Sequence, residues 1–275
     1  MLPKQTIHNQ HLTYISMVWI LHIIIGKGSI IKYTFLGTRG YIEKKSDRHR
    51  RHSAFLISNQ DHKVMIDCGE DWINRLSKVD PDALLITHAH PDHVGGLKKG
   101  APWPVYSHPD AADELKAFEI ETLRIMEYEE AFTLYDIVFQ AFAVEHSKRA
   151  AAAGYKIKLA ETVLFYIPDV VYIHNREKAL KNVDIYIGDG STVEESFVRK
   201  SDGRLVGHTP FRTQLTWCKK FDIPRAYVTH CGTLFIEKDE RTLGARLRKM
   251  GKDRGVEVKI AHDGMEINLP TNKNG

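Results

Sequence analysis

Cysteine is scarce in this chain, and that scarcity excludes a class of architecture. Cys68, Cys218 and Cys231 are the three thiols; they form no Cys-x-x-Cys pair and leave an odd count, which argues against a disulfide framework and fits a reducing, cytoplasmic compartment. Long apolar runs are lacking too. Tyr14 to Ile25, interrupted by Ser16 and His22, falls well short of the roughly 20 residues a membrane-spanning helix needs. With Lys4 the only charge before it, the run also lacks the form of a signal peptide. No membrane association is expected. Residues 1–29 read as an N-terminal extension dispensable for folding and activity, so that a deletion of residues 1–28 should preserve both. Low-complexity stretches are absent, and neither sign of charge dominates: 39 Lys and Arg against 35 Asp and Glu leave a net charge of +4. With 43% hydrophobic residues over 275 positions, the chain can bury a large core, and residues 30–275 are expected to form one domain.

Histidine, by contrast, is concentrated. Thr87-His88-Ala89-His90-Pro91-Asp92-His93-Val94-Gly95-Gly96 places four good metal-binding side chains almost consecutively. The string follows Asp82-Ala83-Leu84-Leu85-Ile86, which reads as a short buried strand, so the ligands would leave its C-terminal end and stand at a sheet rim. In an extended loop, residues two apart point the same way. His88 and His90 can therefore close on one ion, while Asp92 and His93, past Pro91, turn toward a second. Nothing in folding requires this spacing.

The string resembles the signature of the metallo-β-lactamase superfamily, and the likeness extends along the chain. Ile30 to Leu36 with Gly37-Thr38-Arg39-Gly40 is similar to that family's opening strand and glycine turn. Ser53 to Ser58 and Val64 to Ile66, running into Asp67-Cys68-Gly69, are similar to its next two strands. Val144-Glu145-His146-Ser147, Tyr166-Ile167-Pro168-Asp169, Gly207-His208-Thr209, Val228-Thr229-His230 and His262-Asp263-Gly264-Met265-Glu266 follow in the family's order.

The resemblance implies two divalent metal ions, zinc or manganese, with iron also suited to such ligands. One would be held by His88, His90 and His146 and the other by Asp92, His93 and His230, with Asp169 bridging both. A bridging carboxylate suits two cations roughly 3.5 to 4 Å apart, and the pKa of bound water can fall from about 15.7 to about 7. A bridging hydroxide would then be the nucleophile. The resemblance gives catalytic roles to Asp92, to Asp67, which would orient a metal-bound histidine through its ring N–H, and to His208, which would steady developing charge or protonate the leaving oxygen. His262 reads as structural rather than as an eighth ligand.

Two spacings sort the branches of the family. The tRNA 3′-processing nucleases carry a long basic arm between the third-motif histidine and the bridging aspartate; here the interval from His146 to Asp169 leaves room only for two strands and a turn. His208 in a Gly-His-Thr turn, His230 in Val-Thr-His and Asp263-Gly264-Met265-Glu266-Ile267 instead resemble the compact phosphodiesterase of cyclic ribose phosphates. True β-lactamases use different later motifs. Lys44, Lys45, Arg48, His49, Arg50, Arg51 and His52 crowd one segment and would attract phosphate. Of these, Arg48, Arg50 and Arg51 are the expected substrate-phosphate contacts. No aromatic residue is interleaved for base stacking. Cys231, beside a residue that faces the metals, should point away from them and pack in the core.

Further elements are expected as a helix over Pro109 to Glu119, a solvated helix over Glu240 to Lys249, and strands at Val105-Tyr106, Leu134 to Ala143, Tyr155 to Leu159, Val163 to Ile167, Val170 to Ile173, Ile185 to Ile187 and Ala226 to Val228. The fold class implied is α/β, a four-layer αββα sandwich of two mixed sheets with outer helices and metals at one edge. The expected function is that of a dinuclear metal-dependent hydrolase, a phosphodiesterase acting on small cyclic nucleotide or ribose phosphates or on RNA ends. A homodimer is left open. One alternative keeps the metals but opens an ester, lactone or thioester. Another is a nucleic-acid-binding or scaffold protein with an idle site, which the full set of ligand-competent residues disfavours.

Overall fold

The computed structural model describes residues 31–267; the expected extension over residues 1–29 lies outside them. A seven-stranded sheet has the spatial order Met265–Ile267, Ile31–Gly37, Ala54–Asn59, His62–Ile66, Ala83–Ile86, Val105–Ser107, Leu123–Ile125. The pairs up to His62–Ile66 are antiparallel and those beyond it parallel. An eight-stranded sheet runs Tyr172–Ile173, Ile137–Glu145, Ala152–Leu159, Thr162–Ile167, Ile185–Asp189, Arg225–Thr229, Glu257–Ile260, with Phe132–Leu134 paired to Ile137–Glu145 off this path. Here too an antiparallel part passes into a parallel one, from Thr162–Ile167 onward.

Side-chain parity turns these two sheets into layers. Along His62–Ile66, Val64 and Ile66 face one core and Met65 another; along Ala83–Ile86, Ala83 and Leu85 face the first while Leu84 and Ile86 face the second. The shared inner core takes Tyr33, Phe35 and Phe55 from one sheet and Phe139, Tyr155, Leu164 and Ile187 from the other. The outer face of the seven-stranded sheet is covered by Trp72, Leu76, Val94, Leu97 and Leu115. The outer face of the eight-stranded sheet is covered by the helices Phe211–Lys220 and Glu240–Lys252, through Phe211, Leu215, Trp217, Leu243 and Leu247. Helix, sheet, sheet, helix is the expected sandwich. Covering both faces is why Ala83–Ile86 is a continuous apolar run, buried at every position.

Three expected elements differ. Leu134 to Ala143 is not one strand, because Tyr135 and Asp136 both take positive φ (52° and 62°) and form a two-residue turn between Phe132–Leu134 and Ile137–Glu145. That backbone normally announces itself with Asn-Gly or Asp-Gly, and neither is present. The helix over Pro109 to Glu119 shortens to a 3-10 turn at Pro109–Ala111 and a single helical turn at Ala112–Leu115. The strand at Val170 to Ile173 narrows to Tyr172–Ile173, since the Val170 N–H is given to the Asp189 carboxylate instead of a ladder.

The layout decides where chemistry can sit. Parallel strands of both sheets end on one rim, and the loops leaving those ends carry Asp67, Thr87 to His93, Asp169 and His230. His146 joins them directly after Ile137–Glu145. No described helix is long and apolar enough to cross a membrane.

Candidate metal centre

The histidine string leaves Ala83–Ile86 as extended backbone through His90 (φ −72°, ψ 150°) and then coils into the short helix Pro91–Val94. Pro91 starts that helix where its missing N–H costs nothing. The change from extended to helical separates the string into two directions. His88 and His90 meet His146, which comes from the other sheet, whereas Asp92 and His93 meet His230. Each trio has its candidate ligand atoms within 4.8 Å of one another. Asp169 stands between them: its Oδ2 is 2.7 Å from His93 Nε2 and 3.4 Å from His230 Nε2, and its Oδ1 is 3.7 Å from His146 Nε2. All seven residues expected as ligands are thus brought together.

The hydrogen-bond network assigns the ring tautomers. His88 Nδ1 gives its proton to Thr87 Oγ1 at 3.1 Å, and that hydroxyl donates to Asp67 Oδ2 at 2.8 Å. His93 Nδ1 donates to the same oxygen at 2.9 Å. His146 Nδ1 donates to the Gly207 carbonyl at 3.0 Å, His230 Nδ1 to Ser191 Oγ at 3.0 Å, and His90 Nε2 to Ser147 Oγ at 3.2 Å. Every ring is anchored by one nitrogen and turns the other toward the centre; in the His88, His90 and His146 trio that nitrogen is a lone pair, whereas His230 Nε2 meets Asp92 Oδ2 at 3.0 Å. His88 Nε2 and His90 Nδ1 then face each other at 3.0 Å, and His146 Nε2 lies 3.3 Å from His90 Nδ1. Converging lone pairs repel unless a cation lies among them. His93 Nε2 and Asp169 Oδ2, 2.7 Å apart, are both buried at the centre. This donor set fits divalent metal ions.

Burial and charge divide the centre. Burial pushes the His88 ring well below the usual imidazole range and His90 down to about 4, and it lowers His146 as well. Burial acts the same way on His93 and His230, but the carboxylates of Asp92 and Asp169 outweigh it, raising His93 well above its ordinary value and His230 to about 10. Against its own burial, the facing histidines hold Asp92 well below the carboxylate range.

Asp67 lies where expected, fully buried behind His93 and Thr87. It adopts a left-handed backbone (φ 61°), as does His230 (φ 50°). Strain of this kind costs of order 1–3 kcal/mol and persists only where the surroundings hold it; both residues are held by hydrogen bonds at the centre. Gly69 shows how tight the packing is, since a Cβ there would lie 2.1 Å from the Asp92 carbonyl oxygen.

His208 lines the open side. Its Nδ1 donates to Asp189 Oδ2 at 2.8 Å and lies 3.4 Å from Asp169 Oδ1. Burial opposes the charge on this ring, but Asp189 and Asp169 prevail and raise its pKa. Asp189 is a residue that sequence reasoning missed. Its carboxylate also accepts from Ser191 N at 2.8 Å and Val170 N at 3.1 Å, so its oxygens are already used in holding His208 and the adjoining loops. The available signal was Ile185-Tyr186-Ile187-Gly188-Asp189-Gly190, an aspartate ending an apolar strand as Asp67 does. His262 is apart from these groups, its Nδ1 3.1 Å from the Asp263 carbonyl. Cys231 is buried in the outer core, and all three cysteines are free thiols.

A cavity of about 870 Å³ opens over the centre, lined by His90, Asp92, His146, Asp169, His208 and His230. The expected phosphate contacts do not reach it. Arg48, Arg50 and Arg51 lie away from its wall and pair instead with Glu240, Asp47 and Asp263 at 2.5, 3.7 and 3.8 Å. Nearby acids likewise take Lys44 and Lys45, and His49 and His52 are buried. The cluster that reads as a cationic patch in one dimension is largely neutralised in three. The arginines lining the cavity are Arg149 and Arg246, of which Arg246 pairs with Glu194.

Residues 62–231 match the beta-lactamase superfamily domain. The chain belongs to this superfamily of metal-dependent hydrolases. Over 110 residues it is 36% identical to a protein of Methanopyrus kandleri named ribonuclease Z, a stretch covering 35% of this chain and 38% of that one. The chain spans less than half the length of the curated relatives it matches. The fold is shared with the metallo-beta-lactamase fold protein YhfI from Bacillus subtilis, at TM-score 0.69 and 17% identity over 86% of this chain and 98% of that one. It is also shared with the short form of human tRNase Z, at TM-score 0.62 and 19% identity over 87% and 100%.

Proposed function

We propose that the protein is a phosphodiesterase with two divalent metal ions, acting on nucleotide or ribose phosphodiesters or on RNA ends. The observation that carries this reading is the placement of Asp169, whose carboxylate lies between a three-histidine group and an Asp92–His93–His230 group. His88, His90 and His146 would hold one ion, Asp92, His93 and His230 the other, and Asp169 would serve both, with zinc, manganese or iron suited to the donors. Such ions, when bound, supply positive charge for the phosphoryl oxygens and a water of lowered pKa.

The residues of the chain perform the remaining tasks. Asp67 holds His93 by its Nδ1–H and, through Thr87 Oγ1, holds His88, fixing both rings with Nε2 presented. Asp189 holds the His208 Nδ1–H and favours the protonated ring, leaving a second N–H for the leaving oxygen of a diester. Arg149 supports a phosphate over a neutral acyl substrate: it is exposed on the cavity wall and has no ion pair with a described carboxylate. The ribonuclease Z name of a sequence relative supports the same side.

The test is hydrolysis of a chromogenic phosphodiester by metal-stripped protein re-supplied separately with zinc and manganese, with Asp169→Ala as control. Turnover that needs metal and vanishes in the control is expected. Metal-loaded protein inert toward the diester but active on a chromogenic ester would replace this reading with acyl hydrolysis.

A further inference from the structure

Beside the cavity stands a small hairpin that belongs to neither large sheet. Its strands Arg199–Ser201 and Arg204–Val206 pair antiparallel, with Lys200 opposite Leu205 and Ser201 opposite Arg204. Its base is joined to the centre. Gly207 N–H donates to the His146 carbonyl at 2.8 Å, the Gly207 carbonyl accepts from His146 Nδ1, and Phe197 N–H donates to the His208 carbonyl at 3.2 Å. Gly207 takes φ 109°, and a Cβ there would lie 2.1 Å from the Phe197 carbonyl oxygen, so this junction admits little but glycine. An ion pair between Lys148 and Asp202 ties the hairpin turn to the segment after His146.

The charge on this hairpin differs from that of the neutralised Lys44 to His52 segment. Arg199, Lys200 and Arg204 are exposed, and none has an ion pair with a described carboxylate. Arg149, also free of such a pair and next in sequence to the Lys148 that holds the hairpin turn, lies on the cavity wall. Phe197, two residues before the hairpin, is 48% exposed and itself lines the cavity. Isolated exposed rings are ordinary. An exposed ring on the wall of a metal-ligand cavity, at the root of a hairpin that bears unpaired cations, offers what one nucleic-acid strand needs, charge for its phosphates and a face on which a base can stack.

We propose that the hairpin, with Arg149 and Phe197, binds a single-stranded polynucleotide and leads its end toward the cavity. This rests on the diester reading of the same site and extends it, because a lone cyclic nucleotide held at the centre has no phosphates to reach the hairpin. Arg149 and the hairpin cations hold the backbone, and Phe197 stacks the base nearest the centre.

The experiment is fluorescence-anisotropy binding of a labelled oligoribonucleotide of about 12 nucleotides, within the roughly 4–16 that one strand-binding module covers, with a DNA strand of equal sequence in parallel. The proteins are the full chain and two variants, Arg199→Gln/Lys200→Gln/Arg204→Gln and Phe197→Ala, each with its melting midpoint measured to confirm folding. The triple variant should lose at least tenfold in affinity and flatten the plot of log affinity against log salt by about 2, at roughly 0.7 per phosphate contact. Phe197→Ala should weaken binding about fivefold or more with the salt slope retained. Wild-type protein that binds the strand no better than a mononucleotide overturns the proposal. So does a folded triple variant with unchanged affinity and slope. Equal binding of RNA and DNA assigns recognition to charge and stacking, and preference for RNA adds a 2′-hydroxyl contact; both support the proposal. Binding is read without turnover, so hydrolysis of the small chromogenic diester, measured separately, shows whether the diester reading itself stands.

Discussion

The two halves of the candidate metal centre use the same side chain in opposite ways. His88, His90 and His146 face one another and are driven toward the neutral ring by burial, whereas His93 and His230 face Asp92 and Asp169 and are pulled toward the charged ring. All of these rings except His90 are buried. What differs is the charge opposite each ring, which sets whether a lone pair or a proton is offered. A neutral trio is ready to accept a cation, while the carboxylate half already carries the negative charge that a cation would balance. Asp169 belongs to both and is the element whose loss should abolish the distinction.

The largest effect is therefore expected from Asp169→Ala. Diester turnover should fall by about 1,000-fold or more, equivalent to roughly 4 kcal/mol of barrier, and metal content by atomic emission should fall with it. An Asp169→Ala protein that retains its full metal content would break the comparison. His208→Ala should separate metal holding from proton supply, with kcat reduced about 100-fold and metal content unchanged; normal turnover would remove His208 from the mechanism.

A smaller change is expected from Asp67→Ala, which frees the rings of His88 and His93 without removing a candidate ligand. Metal affinity should weaken by about 10–100-fold in a chelator competition, and an unchanged affinity would show that packing alone orients these rings. The smallest effect concerns buried histidines outside the candidate ligand set. Burial lowers His49 and His108 to about 4, the latter against the raising effects of the Thr87 carbonyl and Asp110. A ring whose folded pKa lies below its unfolded value near 6.5 contributes stability above that value and loses it as pH falls through the folded one. Each should cost about 2 kcal/mol by about pH 5. Melting of metal-free protein should therefore move to lower temperature on acidification, and the shift should shrink in His49→Gln and His108→Gln. A shift of equal size in wild type and both variants would assign acid sensitivity elsewhere.

Much of the centre was legible because its ligands lie in short motifs. The His88 to His93 string follows an apolar run whose burial on both faces follows from its composition, and Asp169 and His230 each follow a similar run. Asp67 was legible for the same reason. Asp189 was not, although it too ends an apolar strand, because its importance lies in a bond to His208 from a separate loop. The Tyr135-Asp136 turn escaped because Tyr135 is not a residue that prefers positive φ and no glycine follows Asp136. The arginines escaped in another way. Arg48, Arg50 and Arg51 are conspicuous in one dimension, and their partners Glu240 and Asp263 are remote in sequence.

The sequence by itself therefore determined the alternation of apolar strands that builds two double-covered sheets, and the ligand types at the strand ends. Both are local properties, one of side-chain parity and the other of donor chemistry. Tertiary structure alone decided which histidines face carboxylates, which cations are neutralised and which remain free beside the cavity. Charge acts through space with a strength set by burial and distance, and neither can be read from separation along a chain.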